Sequence, residues 1–439
     1  MTNQTTKPQL VHGLGMVSMV ALIVGNMIGT GIFTLPASLA SDAGPVSLIS
    51  WGVTAVGFLL LSIVYADMGH AYPRSGGPSV YARHAFGDFI GFEIAFSYWL
   101  SIIIGNAAIV IATVGYIAEF SPLVKDSLLW QVMISLSLVW ILALVNILGV
   151  REGASVAIVT TTAKLVPLVL LVAVGIWQFN PDHLTPFAPM GTSAIIPGMA
   201  LVAWAFSGLE SATVPAEEAT DARTIRRSTL IGFGIATALY ILISVTVMGL
   251  LPNDVIAGSS GPLALAASQV MGPWGATLIA AGAIVSGLGT LNGWILLSGR
   301  VPLSVAEDGL FPKGLARIHP RFHTPHVSLI IAAIVASGMI LLRLSRSLIE
   351  TFEFIILLSV LLVLVPHVTT TIGEYLLARQ NPGAFSARSI RATSIIAMAS
   401  LVFVVWVIYG TGWEAIGWGG LFLVAGVPVY WVMRREGRG

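Results

Sequence analysis

Apolar runs long enough to cross a ~30 Å hydrocarbon core, about 20 residues each, recur along the whole chain, with short polar stretches between them. Twelve such spans are predicted, at 13–40, 45–72, 88–119, 127–149, 153–178, 193–217, 226–251, 273–300, 326–343, 348–378, 391–410 and 414–433. The predicted fold class is therefore all-α: a polytopic membrane protein with 12 transmembrane helices. The longer runs imply tilt or extension past the bilayer. Between spans 2 and 3 the stretch Pro73 to Gly87 is too rich in Gly, Pro and charge to cross. After span 8, Ser304 to His326 reads as a polar loop carrying a short amphipathic helix.

Two spans carry the wrong residues at their centres. Span 1 reads VALIVGNMIGTGIFTLPASLA, with Gly25, Asn26, Gly29 and Gly31 near its middle. Span 6 reads IIPGMALVAWAFSGLESATVPA, with Ser207, Gly208, Glu210 and Ser211 in the corresponding place. Unwound backbone at membrane depth is tolerated only where protein buries it or a cavity borders it. Matched breaks in two halves of a chain point to a solute site near the midplane. The breaks lie five spans apart, which predicts a five-plus-five inverted repeat with spans 11 and 12 appended. The expected organisation is a tail at 1–12, a transport core at 13–378 divided into 13–178 and 193–378, spans 11 and 12 at 391–433, and a tail at 434–439.

Composition narrows the class further. The 439 residues are 56% hydrophobic and only 9% charged, with a net charge of +1, so nucleic acid is not an expected partner. No cysteine is present, which excludes thiol chemistry and a disulfide-linked partner subunit. The lipid bilayer and a small molecule remain as partners, and a homodimer is allowed. The polar N-terminal stretch has no short apolar region with a cleavage site, so span 1 is expected to be retained. Of the 21 Lys and Arg, 17 fall on the side of the N-terminus, leaving Lys125, Arg343 and Arg346 opposite and Lys164 inside span 5. The positive-inside rule then places both termini in the cytoplasm.

The residues that could carry chemistry are few. After the first break, the amides around Ile28, Gly29, Thr30 and Gly31 open a second half-helix whose positive end can hold a carboxylate. A packing face of small residues accounts for Gly25 and Gly29, four apart, but not for the polarity of Asn26 and Thr30. Glu210 is a mid-span carboxylate, which usually faces a cavity, an ion path or a partner. It can exchange a proton against a cationic ligand, or simply accept hydrogen bonds from amides freed at the break. Tyr98, Trp204, Phe206 and Trp294 are candidates for an aromatic box around a cation, each with packing as its plainer explanation. Lys164 is about 11 residues into its span, some ~16 Å at ~1.5 Å per residue, too deep to snorkel comfortably. A desolvated lysine can give up its proton, which makes it a candidate proton carrier or a built-in substitute for a bound cation. Asp67, Glu93 and Glu374 are read as solvated or structural. The Glu217, Glu218, Asp221, Arg223, Arg226, Arg227 cluster is read as cytoplasmic salt bridges. Neither metal-ligand spacing among the histidines nor a phosphate loop or catalytic triad is present, so neither cofactor nor enzymatic activity is expected.

Several stretches together resemble a known family. GNMIGTGIFTLPASLA (25–40), SGGPSVYARHAFG (75–87), YWLSIIIGNAAIVIATVGY (98–116), WAFSGLESA (204–212), GTLNGWILLSG (289–299) and AEDGLFPKGLARI (306–318) are similar to the amino acid–polyamine–organocation transporters. The bacterial basic amino acid and polyamine antiporters resemble them most. The resemblance implies the LeuT-type fold, location in the bacterial inner membrane, and alternating access by rocking spans 1, 2, 6 and 7. It also implies site roles. Thr30 and Gly31 would hold a substrate carboxylate, with Asn26 beside them. Trp204 and Trp294 would contact the substrate side chain and the gate, and Glu210 would release substrate by protonation. Tyr98 would be a gate residue, Asn106 a polar contact on span 3, and Ser359 a contact to the far end of a long substrate. Ser101, Ser207, Gly208 and Ser211 complete the expected lining. Lys164 departs from the arginine/agmatine exchangers and looks like the lysine of relatives in which an amine replaces a sodium ion. Antiport of a basic amino acid or polyamine-type substrate is the function this implies. Proton-coupled symport through Lys164 and Glu210 is the alternative, and a non-transporting amino acid sensor is a third reading.

Overall fold

In a computed structural model the chain is described at residues 15–74, 76–149, 154–213, 219–385 and 389–436, without the side chains of 154–160, 212 and 435–436. The expected tail at 1–12, residues 437–439 of the expected tail at 434–439, and Lys7, Ser75, Arg151, Glu217, Glu218, Arg388 and Arg438 lie outside the described residues.

Among the described residues, twelve helical segments are long and apolar enough to cross a membrane. They are Met16–Asp42, Gly44–Ala71, Asp88–Ala118, Leu128–Ile147, Thr161–Gln178, Thr192–Ser211, Ala222–Leu250, Pro262–Glu307, His326–Leu344, Leu348–Gln380, Ile390–Gly410 and Gly412–Arg434, called spans 1 to 12 here. Their starts follow local chemistry. Ser127, Asp221, Ser347 and Ser389 cap free amides at helix N-termini. Ser347 and Glu350 satisfy one another's backbone reciprocally, as a capping box requires.

Burial separates a centre from a rim. Span 3 is 94% buried across its most apolar stretch, whereas span 12 is 17% buried. Phe58, Tyr65, Phe92, Tyr116 and Phe206 fill the space around span 3 and the broken helices. Large apolar side chains such as Trp406, Trp413, Trp418 and Leu421 stay exposed, as lipid-facing residues do. The protein is a multi-pass membrane protein.

The structure refines several expectations. The stretch before span 3, expected only not to cross, contains the helix Pro78–Phe86, with Pro78 at its start, where a missing N–H costs nothing. Span 8 belongs to a longer helical run, Pro262–Glu307, interrupted at Gly272 (φ 69°, ψ −166°). After it, the only helical turn among the described loop residues before span 9 is Lys313–Ala316, too short to be amphipathic. Of the two readings of Asp67 and Glu374, solvated or structural, their burial favours the structural one. Asp67 accepts from Arg226 at 3.1 Å, and Asp221 accepts from the Thr224 amide at 2.6 Å. That amide is the main reason the Asp221 carboxyl is held below its usual range. Among the described charges after span 6, Asp221 therefore caps a helix and Arg226 ties that helix to span 2 through a salt bridge.

Candidate functional site

Both interrupted spans break at the expected residues. In span 1, helix Met16–Met27 ends, Ile28 leaves helical geometry at φ −79°, ψ 77°, and helix Gly31–Asp42 begins after Thr30. In span 6, helix Ile195–Phe206 ends in an extended Ser207, and Gly208 turns left-handed at φ 99°. A single helical turn, Leu209–Ala212, follows. A side chain at Gly208 would be strained twice over, because its Cβ would also stand 3.2 Å from the carbonyl carbon and oxygen of Asn26. At Gly31 a Cβ would stand 3.0 Å from Trp204 Cδ1. The breaks therefore touch, and glycine is what lets them.

Freed carbonyls at the first break are held from two sides. The Lys164 amine donates to the carbonyls of Gly25 (2.6 Å) and Ile28 (2.7 Å), with Thr290 Oγ1 3.4 Å away. The Ser286 hydroxyl reaches the Ile28 and Gly29 carbonyls at 3.3 and 3.4 Å. From span 7, the Tyr240 hydroxyl lies 2.6 Å from the Met27 carbonyl and 2.8 Å from that of Ala205. At the start of Gly31–Asp42 the first amides have no carbonyl one turn back, and the helix dipole adds positive potential there.

Where the breaks meet spans 3, 8 and 10, a narrow hollow opens. Its walls are Asn26, Tyr98, Ser101, Ile102, Ser207, Gly208, Glu210, Ser211, Trp294, Leu297, Ser359 and Val363, and the cavity they leave open to water is only about 10 Å³. A solute of amino acid size therefore requires them to part. Around the hollow, several buried polar atoms have no hydrogen-bond partner: Ser207 Oγ, Glu210 Oε2, Ser211 Oγ and Trp294 Nε1. Thr30 Oγ1 and Asn106 Oδ1 are in the same condition. Buried polar groups are normally satisfied, and each exception asks for an explanation. The Tyr98 hydroxyl meets the Glu210 carboxyl group. Trp204 and Trp294 pack with ring centroids 5.6 Å apart at 57°, over Gly105, where a Cβ would stand 2.8 Å from Trp294 and 2.9 Å from Trp204.

A family model described as amino acid permease matches residues 14–432. This chain belongs to the amino acid permease family. With it comes membership of the amino acid–polyamine–organocation superfamily. Among the permease's relatives, the arginine/ornithine antiporter of Pseudomonas aeruginosa is 30% identical over 413 residues, covering 90% of this chain and 85% of the relative. The putrescine transporter PotE of Escherichia coli (strain K12) is 30% identical over 425 residues, 95% of each chain. A putative arginine/ornithine antiporter of Bacillus subtilis (strain 168) is 31% identical over 383 residues, covering 80% of this chain and 81% of the relative.

Not every expected residue of the permease reaches the hollow. Phe206 is turned into the core, stacked on Phe58 at 5.0 Å and packed edge-on to Tyr240 at 5.6 Å. It supports the break and is no part of an aromatic box. Asn106 donates to Ser298 Oγ at 3.1 Å, outside the walls. Thr30 faces Gly287 on span 8, where a Cβ would stand 2.9 Å from its Cγ2. Ile28, Gly29 and Gly31 contribute backbone next to the hollow. Ser359 lines it, but its hydroxyl already donates to the Ser101 carbonyl at 2.8 Å. Lys164 lies behind the first break, bound to it. Sequence reasoning missed Ile102, Leu297 and Val363, apolar residues with nothing to distinguish them from lipid-facing ones. It also missed Gly105 and Tyr240. A tyrosine in the middle of the apolar run ATALYILIS is a signal that could have been read, since its hydroxyl needs a partner at that depth.

Proposed function

We propose that this permease exchanges a basic amino acid for a related amino acid or amine across the bacterial inner membrane, with both tails in the cytoplasm. The substrate carboxylate rests on the amides that open Gly31–Asp42. Its cationic end lies towards Glu210, with the aliphatic part against Trp294. Access alternates as spans 1, 2, 6 and 7 rock against the rest, and the two five-span halves are inverted repeats of one another. One observation carries this reading: Ser207, Glu210, Ser211 and Trp294 all keep an unpartnered polar atom around a hollow formed where both broken helices meet. A zwitterionic cation supplies donors and acceptors for such a set, and an apolar solute supplies none. The relatives' names give the substrate class: arginine and ornithine for one group, putrescine for the other.

Counterflow in proteoliposomes tests it. Labelled ornithine should accumulate in vesicles loaded with unlabelled ornithine or putrescine, and should not enter empty vesicles. Uptake into empty vesicles under an inward proton gradient would replace exchange with proton-coupled symport. A ligand-induced rise in the unfolding midpoint with no flux at all would mark a sensor.

A further inference from the structure

One hydroxyl group stands between the two broken helices. Tyr240 is fully buried on span 7. Its Oη lies 2.6 Å from the Met27 carbonyl oxygen and 2.8 Å from that of Ala205. Met27 is the last residue of Met16–Met27, and Ala205 is the next to last of Ile195–Phe206. Carbonyls in the last turn of a helix have no intrahelical donor, and at membrane depth water does not replace it. The Met27 carbonyl also accepts from the Gly29 amide at 2.9 Å, and the single Tyr240 proton is shared between it and the Ala205 carbonyl, one on each helix. Its ring packs against Trp51 of span 2 at 5.5 Å and against Phe206, the last residue of Ile195–Phe206, at 5.6 Å, which holds the hydroxyl where the two helix ends meet.

We infer that Tyr240 is a positioning residue that sets the register of one break against the other, so that a substrate gripping both finds them already aligned. A ligand that uses both breaks, through a carboxylate on span 1 and a cation near Glu210, depends on that register. A diamine without the carboxylate depends on it less. The choice between an amino acid and its decarboxylated amine is therefore set partly by a residue that touches neither. This ligand consequence rests on the exchange reading above, whereas the register itself does not.

Tyr116 supplies a matched control. Its hydroxyl is equally buried and donates to the Phe33 carbonyl at 2.6 Å, on span 1 alone. Tyr240→Phe should raise hydrogen–deuterium exchange about tenfold, the loss of one buried hydrogen bond, in both segments 24–34 and 203–213. Tyr116→Phe should affect at most the first. In counterflow, Tyr240→Phe should raise the KM for ornithine about tenfold and that for putrescine no more than about twofold, with Vmax kept. Tyr240→His, which keeps a ring and an N–H donor, should fall between, and it carries the comparison if the phenylalanine variant is not recovered folded. Loosening of only one segment, equal losses for both ligands, or the same selectivity change in Tyr116→Phe overturns the inference. If the unmodified protein exchanges neither ligand, the substrate reading fails, and the deuterium readout still decides the role of Tyr240.

Discussion

The two breaks look alike in sequence and differ in how their loose ends are tied. Around span 1, Lys164, Ser286 and Tyr240 occupy the carbonyls of Gly25, Met27, Ile28 and Gly29. A regular helix, Gly31–Asp42, then resumes. At span 6 the chain passes through a left-handed Gly208 into one short turn, and Ser207, Glu210 and Ser211 are left with unpartnered polar atoms. The protein ties the carbonyls of the first break itself and leaves the polar side chains of the second for something else to complete. A fixed break can present a constant platform for a group common to all substrates. An unfinished one can respond to what arrives, because its polar groups gain partners only when a ligand supplies them.

The sharpest way to break this comparison is to untie the first end. Lys164→Ala removes two short charge-assisted hydrogen bonds, each worth ~1.5–3 kcal/mol, and leaves both carbonyls buried. Against a total stability of ~5–15 kcal/mol that is severe. Exchange should fall at least ~100-fold, and the unfolding midpoint should drop by several degrees with no ligand present, as read by a thermal-shift assay. An unchanged ligand-free midpoint would mean that Lys164 does not hold the break.

Gly208→Ala attacks the second break through its backbone. A left-handed alanine costs ~1–2 kcal/mol, and its Cβ would press on Asn26 at 3.2 Å. Initial rates of exchange should fall roughly 30-fold. Gly234→Ala, on the same scale of change but in open space, should cost nothing and gain up to ~1 kcal/mol in helix propensity.

Glu210→Gln keeps shape and removes charge. If the second break is completed by ligand, the ligand-free midpoint should stay within about two degrees. The KM for ornithine should rise about tenfold, the scale of one charge-assisted hydrogen bond, and the pH dependence of counterflow should flatten. A variant that loses stability but keeps its pH dependence would make Glu210 a structural residue of the break and remove it from the mechanism.

What the chain revealed in advance follows the same division. Membrane spans and breaks were legible because lipid imposes a length on apolar runs and a penalty on Gly25, Gly29, Gly208 and Glu210 that nothing local relieves. Lys164 and Trp294 stood out for the same reason. The direction in which a side chain points was not legible. Phe206 and Trp204 are two residues apart on one helix, and rotation alone sends one to the core and the other towards Trp294. For Asp67 and Glu374 the reading stays open between solvated and structural, because sequence gives depth along a span but not which neighbour covers it. Tyr240 was invisible as a strut because its role depends on two carbonyls 213 and 35 residues away.

Ser359 gives the smallest effect and the finest distinction. Its position on the wall suggests contact with the far end of a long substrate, yet its hydroxyl is already committed to the Ser101 carbonyl. A committed donor still has lone pairs to offer, so a cationic ligand can add to the bond without breaking it. If that is its part, Ser359→Ala should raise the KM for ornithine only about two- to fivefold, within the net value of a neutral hydrogen bond of ~0.5–1.5 kcal/mol, and leave a shorter neutral amino acid untouched. If instead the hydroxyl only ties span 10 to span 3, all ligands should weaken together and the ligand-free midpoint should fall. The wall would then behave like the first break, closed by the protein, and the unfinished surface would narrow to Ser207, Glu210, Ser211 and Trp294.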